Sequence, residues 1–122
     1  MFKLNLSGTF QYPVELQIVD EKGKPQLHKL RLTFKRFSRE QLIGLGEFGK
    51  DDTRTGDAVI EADLDYLLQF VDGWADVTDE DGQPLDFSRD NLRALLNAVP
   101  NIHHVIRDTF YEAINGGSRR KN

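Results

Sequence analysis

Apolar and polar residues alternate in three segments of the N-terminal part of the chain, at positions 2–6, 14–19 and 27–34. An alternation with a period of two is typical of a strand that buries one face. Residues 20–25, between the second and third segments, are charged or favour turns. The pattern predicts an edge or hairpin strand at 2–6, followed by two antiparallel strands joined in a hairpin.

Each strand of the predicted hairpin carries its apolar residues on a single face. These residues are Val14, Leu16 and Ile18 in the first strand and Leu30, Leu32 and Phe34 in the second. The residues between them are mostly polar, as expected for a face in contact with water. A three-stranded sheet covered on one side is therefore predicted.

A helical periodicity begins at Ser38. This serine can cap the first turn of a helix, and Gln41 can complete a capping box. Gly44, Gly46 and Gly49 each cost about 1 kcal/mol relative to alanine inside a helix. The sequence therefore predicts a weak helix that ends near Gly49, followed by a charged surface loop.

From position 57 onward, apolar residues recur at helical spacing and form a stripe. The stripe consists of Ile60, Leu64, Leu67, Leu68 and Val71. Tyr66 and Phe70 lie off the stripe, so this predicted helix is apolar almost all round near its end. Either it lies between the sheet and the later helices, which we favour, or it presents an aromatic flank to a partner.

Two further helices are predicted on either side of Pro100. Ser88 can cap the first helix, and the second is followed by a stop signal at 115–117. In the second helix, Tyr111 falls about 180° from Ile102. We therefore expect Tyr111 to point outward, where a tyrosine is a candidate contact with a partner.

Together these elements predict an α+β fold with a mainly antiparallel N-terminal sheet of about three strands, packed with about four helices. Residues 1–116 are expected to form a single domain, because 122 residues suit one ordinary domain. Residues 117–122 are expected to form a flexible basic tail. The alternative architecture is a helix-only core with a peripheral hairpin.

Composition excludes several classes of function. The chain has no cysteine, which excludes thiol catalysis, thiolate metal sites and disulfides. No apolar run approaches the roughly 18 residues of a membrane span, and the N-terminus lacks the apolar core of a signal peptide. A net charge of −4 argues against a general nucleic-acid binder, because phosphate neutralisation needs a basic face. We predict a soluble, unexported protein with no membrane or nucleic-acid partner.

The candidate catalytic and metal motifs are weak. Glycines at 44–49 match G-x-G-x-x-G, but they lie in a predicted helix and not between a strand and a helix. His104 and Asp108 have the spacing of two metal ligands on one helix face, but a third ligand would have to come from elsewhere. The acidic stretch before the third helix fits a calcium loop poorly, because Val77 and Ser88 occupy ligand positions. No catalytic residue, metal or cofactor is predicted.

The segment 71–88 carries the most specific pattern in the chain. It contains Trp74, the only tryptophan, directly after Gly73, and a turn signal at Asp81 and Gly82. We expect Trp74 to be a structural anchor that holds the connection between the central helix and the C-terminal helix pair.

This segment, the helix that reaches Pro100, the helix that follows and the basic ending at Lys121 and Asn122 resemble the small tail assembly chaperones of long-tailed bacteriophages. The resemblance covers nearly the whole chain. It implies a non-catalytic protein made in the cytoplasm of the infected host and absent from the finished virion. Proteins of this family bind the long, apolar, helical tape measure protein, keep it soluble and help to recruit tail tube subunits.

The resemblance fixes no binding surface, so the candidate contacts come from physical chemistry. A chaperone for an apolar helix needs an accessible apolar or aromatic groove with polar rims. We predict that Tyr66, Phe70 and Trp74 line such a groove. Secondary contacts are predicted at Tyr111 and at the basic tail residues Arg119, Arg120 and Lys121.

Two other functions remain open at this point. The first is a structural part of the virion, such as a tail completion or head-tail connector protein. The second is a small metal-dependent enzyme that uses His104 and Asp108.

Overall fold

The structure is a computed structural model, and it describes residues 1–4 and 8–117. Its elements are, in order, β1 (Thr9–Val19), β2 (Pro25–Lys35), α1 (Arg39–Glu47), α2 (Ala58–Leu67), β3 (Val71–Ala75), α3 (Arg89–Ala98) and α4 (Ile102–Ile114). The strands form one antiparallel sheet in the order β1-β2-β3. This arrangement confirms the predicted α+β class with three strands and four helices. Residues 118–122 of the predicted tail lie outside the described residues.

The predicted hairpin is confirmed, and it is held by its turn. β1 and β2 pair along their whole length, from Thr9 opposite Lys35 to Val19 opposite Pro25. In the turn, one carboxylate oxygen of Asp20 accepts hydrogen bonds from two backbone N–H groups of the turn at 2.8 and 3.0 Å. These backbone hydrogen bonds lower the pKa of Asp20 below its ordinary value. The side chain of Asp20, the first of the five residues between β1 and β2, therefore holds this turn in place.

The third strand is not the one that we predicted. Residues 1–4 form no strand, and residues 5–7 lie outside the described part of the chain. The third strand is β3, in which Trp74 lies opposite Leu32 and Ala75 opposite Arg31. The helical stripe therefore ends earlier than expected, since α2 stops at Leu67 and Val71 belongs to β3. Pairing with β2 supplies the hydrogen bonds that make a strand of this short segment, and its sequence alone does not show them.

The sheet buries only one face. Val14, Leu16, Leu32 and Phe34 are buried on that face, in agreement with the predicted apolar rows. Ile18 belongs to the same row but is 36% exposed, because it lies near the end of the hairpin. The opposite face of the hairpin faces solvent and is mostly polar, with the exposed apolar side chains of Val19 and Leu27 at its turn end.

Three phenylalanines that are fully buried occupy the centre of the core. Phe110 of α4 stacks on Phe70, with ring centroids 4.3 Å apart, and meets the ring of Phe34 at 5.3 Å. Phe70 lies in the turn between α2 and β3, while Phe34 lies in β2. The cluster therefore joins the sheet, the central turn and the last helix. Among the helices, α4 packs against β1, α2 and α3.

The helix starts follow the predicted caps. At α1, Gln41 N–H donates to the Ser38 hydroxyl and the Ser38 N–H donates to the Gln41 side chain, which completes the capping box. At α3, Asn91 N–H donates to the Ser88 hydroxyl at 3.1 Å. The Asn91 side chain donates instead to the carbonyl of Asp86, so this second box is incomplete. α1 buries a single residue, Leu45, and is the least firmly packed helix of the described chain.

The stability of the core can be tested at Phe110. Phe110→Ala leaves a cavity against Phe34 and Phe70, and we expect a loss of about 3–5 kcal/mol in the free energy of unfolding. Urea denaturation followed by circular dichroism measures this loss. As a control, Ile43→Ala removes a side chain that is 61% exposed and should change stability by about 0.5 kcal/mol or less. A Phe110→Ala loss as small as the control's would contradict the central role of this ring.

Candidate partner-binding surface

The described residues contain no group of three histidine, aspartate or glutamate side chains that could hold a metal ion. The rings of His103 and His104 lie side by side, with centroids 4.0 Å apart. His103 of α4 faces Asp63 of α2, with 3.9 Å between Nε2 of His103 and Oδ2 of Asp63. The proposed pair of His104 and Asp108 therefore acquires no third ligand from the described part of the chain.

No helix within 1–4 and 8–117 has both the length and the apolar character needed to cross a membrane.

Tyr66 and Tyr111 lie together at the contact between α2 and α4. Both are half-buried, and their side chains lie close enough to interact electrostatically. The pKa of Tyr66 is raised to about 12, mainly by burial and to a smaller extent by the neighbouring Tyr111. The ring of Phe48, which follows α1, lies 6.3 Å from that of Tyr66. Tyr111 does not point freely outward as expected, because α2 packs over that side of α4.

Phe70 is not accessible to a partner in this structure. Its side chain is fully buried, with an exposed fraction of 0%. On the core side of Tyr66, the ring of Phe70 makes an edge-to-face contact with the tyrosine ring, with centroids 5.4 Å apart. The prediction that Phe70 lines a surface groove is therefore corrected, since the chain turns inward after α2 and carries this ring into the core.

Trp74 is held in place by two contacts. Its indole N–H donates to the backbone carbonyl of Leu85 at 2.7 Å, and its ring meets that of Phe87 edge-to-face at 5.2 Å. Both partners lie on the segment that leads to α3. Trp74 is therefore a structural anchor, as the sequence indicated, and its side chain is half-buried.

The structure does not bring all the predicted contacts into one groove. Tyr66 and Tyr111 are adjacent, whereas Trp74 contacts a different set of residues. The predicted contacts Arg119, Arg120 and Lys121 lie outside the described residues. Phe48, at the end of α1 and 39% exposed, was not singled out from the sequence. Its position directly before the helix stop at Gly49 was the only available signal.

A groove runs beside α1, and we call it the α1 groove. It is lined by Lys35, Phe37, Gln41, Gly44, Leu45, Phe48 and Gln69, and its volume is about 340 Å³. The lining positions on α1 and at its end are spaced at i, i+3, i+4 and i+7, so they share one side of the helix. The groove combines three apolar side chains with two amides and one ammonium group.

Two other clefts border α4. One of about 310 Å³ lies between α2 and α4 and is lined in part by Tyr66, His103 and Arg107. The other, of about 470 Å³, lies between β1 and α4 and is lined in part by the acidic residues Glu15, Asp108 and Glu112. The hydroxyl of Tyr12 donates to Glu112 in this second cleft at 2.8 Å.

Two of the three acidic side chains of α2, Glu61 and Asp65, are paired with arginines. Arg89 of α3 contacts both Glu61 and Asp65 at 2.9 Å, Arg93 contacts Glu61 at 2.6 Å, and Arg54 contacts Asp65 at 3.0 Å. Hydrogen bonds from the arginines, first of all from Arg89, lower the pKa of Glu61 and that of Asp65. These charges thus tie α2 to α3 and to the loop before α2, and they form no cation site.

A family model described as phage tail assembly chaperone matches residues 1–122, the whole chain. Comparisons with curated proteins and with solved structures give no match.

The anchoring role of Trp74 can be tested by Trp74→Phe. This variant retains an aromatic ring against Phe87 but leaves the carbonyl of Leu85 without its indole donor. Because that bond is partly buried, we expect a loss of about 1–3 kcal/mol in the free energy of unfolding, measured by urea denaturation. Asn91→Ala, which removes an exposed side-chain hydrogen bond to Asp86, is a control with a smaller expected loss. An unchanged stability of Trp74→Phe would contradict the anchor.

The environment of His103 predicts a pH dependence of stability. Burial lowers the pKa of His103 below its ordinary value of 6.5, and Asp63 opposes the shift only in part. The unfolded chain therefore takes up this proton at a higher pH than the folded chain. The contribution of His103 to the free energy of unfolding is fully present above about pH 6.5. It is lost as the pH falls towards the lowered pKa of His103 in the folded chain.

We expect the urea midpoint of the native protein to fall between pH 7.5 and pH 5.5, and this fall to be smaller in His103→Gln. His28→Gln, which alters a histidine of the exposed hairpin end but keeps His103, should retain the full dependence. Equal pH dependence in native protein and His103→Gln would refute the assignment.

Proposed function

Because the chain belongs to the phage tail assembly chaperone family, we propose that it binds the tape measure protein and keeps it soluble during tail assembly. The observation that carries the proposal is the family match over residues 1–122. In this proposal the protein is non-catalytic, acts in the host cytoplasm, helps to recruit tail tube subunits and is absent from the finished virion.

The surface of the protein supports binding of an apolar partner. Several large apolar side chains are exposed around α1 and the start of α2, including Ile43 at 61%, Phe48 at 39% and Val59 at 42%. An apolar helix is commonly recognised by a groove that receives side chains from successive turns. Exposed apolar groups next to grooves are the kind of surface that such recognition needs.

We propose Tyr66 and Tyr111 as aromatic contacts, with Phe48 beside them. Each tyrosine is half-buried and so presents part of its ring at low cost in conformational freedom. Trp74 and the basic residues Arg119, Arg120 and Lys121 are further proposed contacts. Phe70 has an indirect role, because it supports the ring of Tyr66 from the core.

Co-expression tests the proposal. The tape measure protein encoded near this gene should be largely insoluble when produced alone, and soluble and copurified when produced together with this chain. Co-expression with an unrelated acidic protein of similar size is the control. A tape measure protein that neither gains solubility nor copurifies with this chain would overturn the proposed function.

Mass spectrometry of purified phage particles separates the proposal from a structural role. The chain should be missing from particles in which tube and tape measure proteins are detected. Its presence at a fixed stoichiometry would favour a component of the virion.

A further inference from the structure

The apolar part of the α1 groove is open to solvent. Phe37, Leu45 and Phe48 line it, and their exposure rises from 4% at Leu45 to 39% at Phe48. A volume of about 340 Å³ is at the lower end of the range of ligand pockets. Such a groove has room for side chains that project from a partner helix but not for the helix itself.

Gly44 is a glycine that the fold of the chain does not require. It lies inside α1, its φ is not in the left-handed region, and a Cβ placed on it would meet nothing within 4 Å. Glycine is a poor helix former at such a position. Its effect is to keep the α1 groove open and to let a second backbone approach α1 closely.

The polar groups of the α1 groove are mainly hydrogen-bond donors. Lys35 contributes an ammonium group that forms no ion pair with any residue in 1–4 or 8–117. The side-chain oxygen of Gln41 already accepts the N–H of Ser38 at 2.8 Å, which leaves its NH₂ group as a donor. Gln69 is the exception, because its NH₂ group already donates to the carbonyl of Asp65 at 3.2 Å and its side-chain oxygen remains as an acceptor. No carboxylate lines the groove itself, and Asp72 lines the adjoining cleft that shares Lys35 with it. The charge and the donors therefore complement an acceptor, and above all an acidic side chain.

We infer that the α1 groove is the docking site for an apolar helix of the tape measure protein, in a segment where an acidic residue lies beside the apolar side chains. This inference rests on the proposed function, because it takes its partner from there. The apolar side chains enter between Phe37 and Phe48, the partner backbone passes over Gly44, and the carboxylate meets Lys35.

Two glycines on opposite sides of α1 provide a matched test. Gly44→Gln places a side chain in the groove. Gly46→Gln adds the same side chain about 160° away on the helix, where a Cβ also meets nothing within 4 Å. Both variants replace glycine by a better helix former, so both should fold and have an equal or higher melting temperature.

The measurement is the Kd for a purified fragment of the tape measure protein that copurifies with the native chain. We expect Gly44→Gln to weaken binding about tenfold or more, as for loss of one central contact, and Gly46→Gln to bind at least as tightly as the native chain. Native-like binding by both variants, or equal weakening of both, would overturn the docking site while leaving the proposed function intact. If the native chain itself neither binds nor solubilises the tape measure protein, the proposed function is wrong, whatever the variants do.

The charge complement is tested by Lys35→Glu against Lys24→Glu in the hairpin turn. Both variants change the net charge equally, but only Lys35 lines the groove. We expect a clearly larger increase in Kd for Lys35→Glu. Equal increases in Kd for the two variants would show that only the net charge of the chain affects binding. They would overturn the proposed contact between Lys35 and an acidic side chain of the partner.

Discussion

The stacking of Phe110 on Phe70 holds together parts of the chain that are far apart in sequence. Phe110 comes from the last helix, Phe70 from the turn before β3, and both meet Phe34 of the hairpin. The backbone adds a second link at the same place, because Lys35 N–H donates to the carbonyl of Phe70 at 2.9 Å. Once this turn is fixed, β3 can pair with β2 and carry Trp74 to its position opposite Leu32. The segment that follows is then tied to the indole through Leu85, which sets where α3 begins.

Features that depend on neighbouring residues could be read from the sequence, and features that depend on distant pairing could not. The hairpin and both serine caps are local, since turn residues and the positions three residues after each serine determine them. The strand β3 is not local, because Val71 fits a helical stripe equally well until β2 pairs with it. The alternating pattern at Phe2 and Leu4 likewise predicted a strand that those residues do not form. A favourable pattern therefore predicts an element only where a partner is available.

The candidate surface shows the same limit. Aromatic residues could be selected from the sequence, but their exposure depends on how the helices pack. Phe70 was expected at the surface and lies in the core. Tyr111 was expected to point outward and is half-buried against α2. Phe48 was not expected at the surface and is 39% exposed. Residue-level chemistry named no reaction or ligand, whereas the resemblance to a family is confirmed by the family match over the whole chain.

The short, glycine-containing helix α1 has a consequence for how tightly a partner is held. Isolated helices shorter than about 12–15 residues are marginal in water, and α1 has nine residues and only Leu45 buried. A partner that binds only the ordered form has an apparent Kd that rises as the ordered fraction falls. Positions on α1 that never touch the partner, such as Gly46, thus set affinity through the population of the competent state. Because only the ordered fraction of α1 can accept a partner, the marginal helix lowers the association rate and so limits how tightly the chain holds that partner.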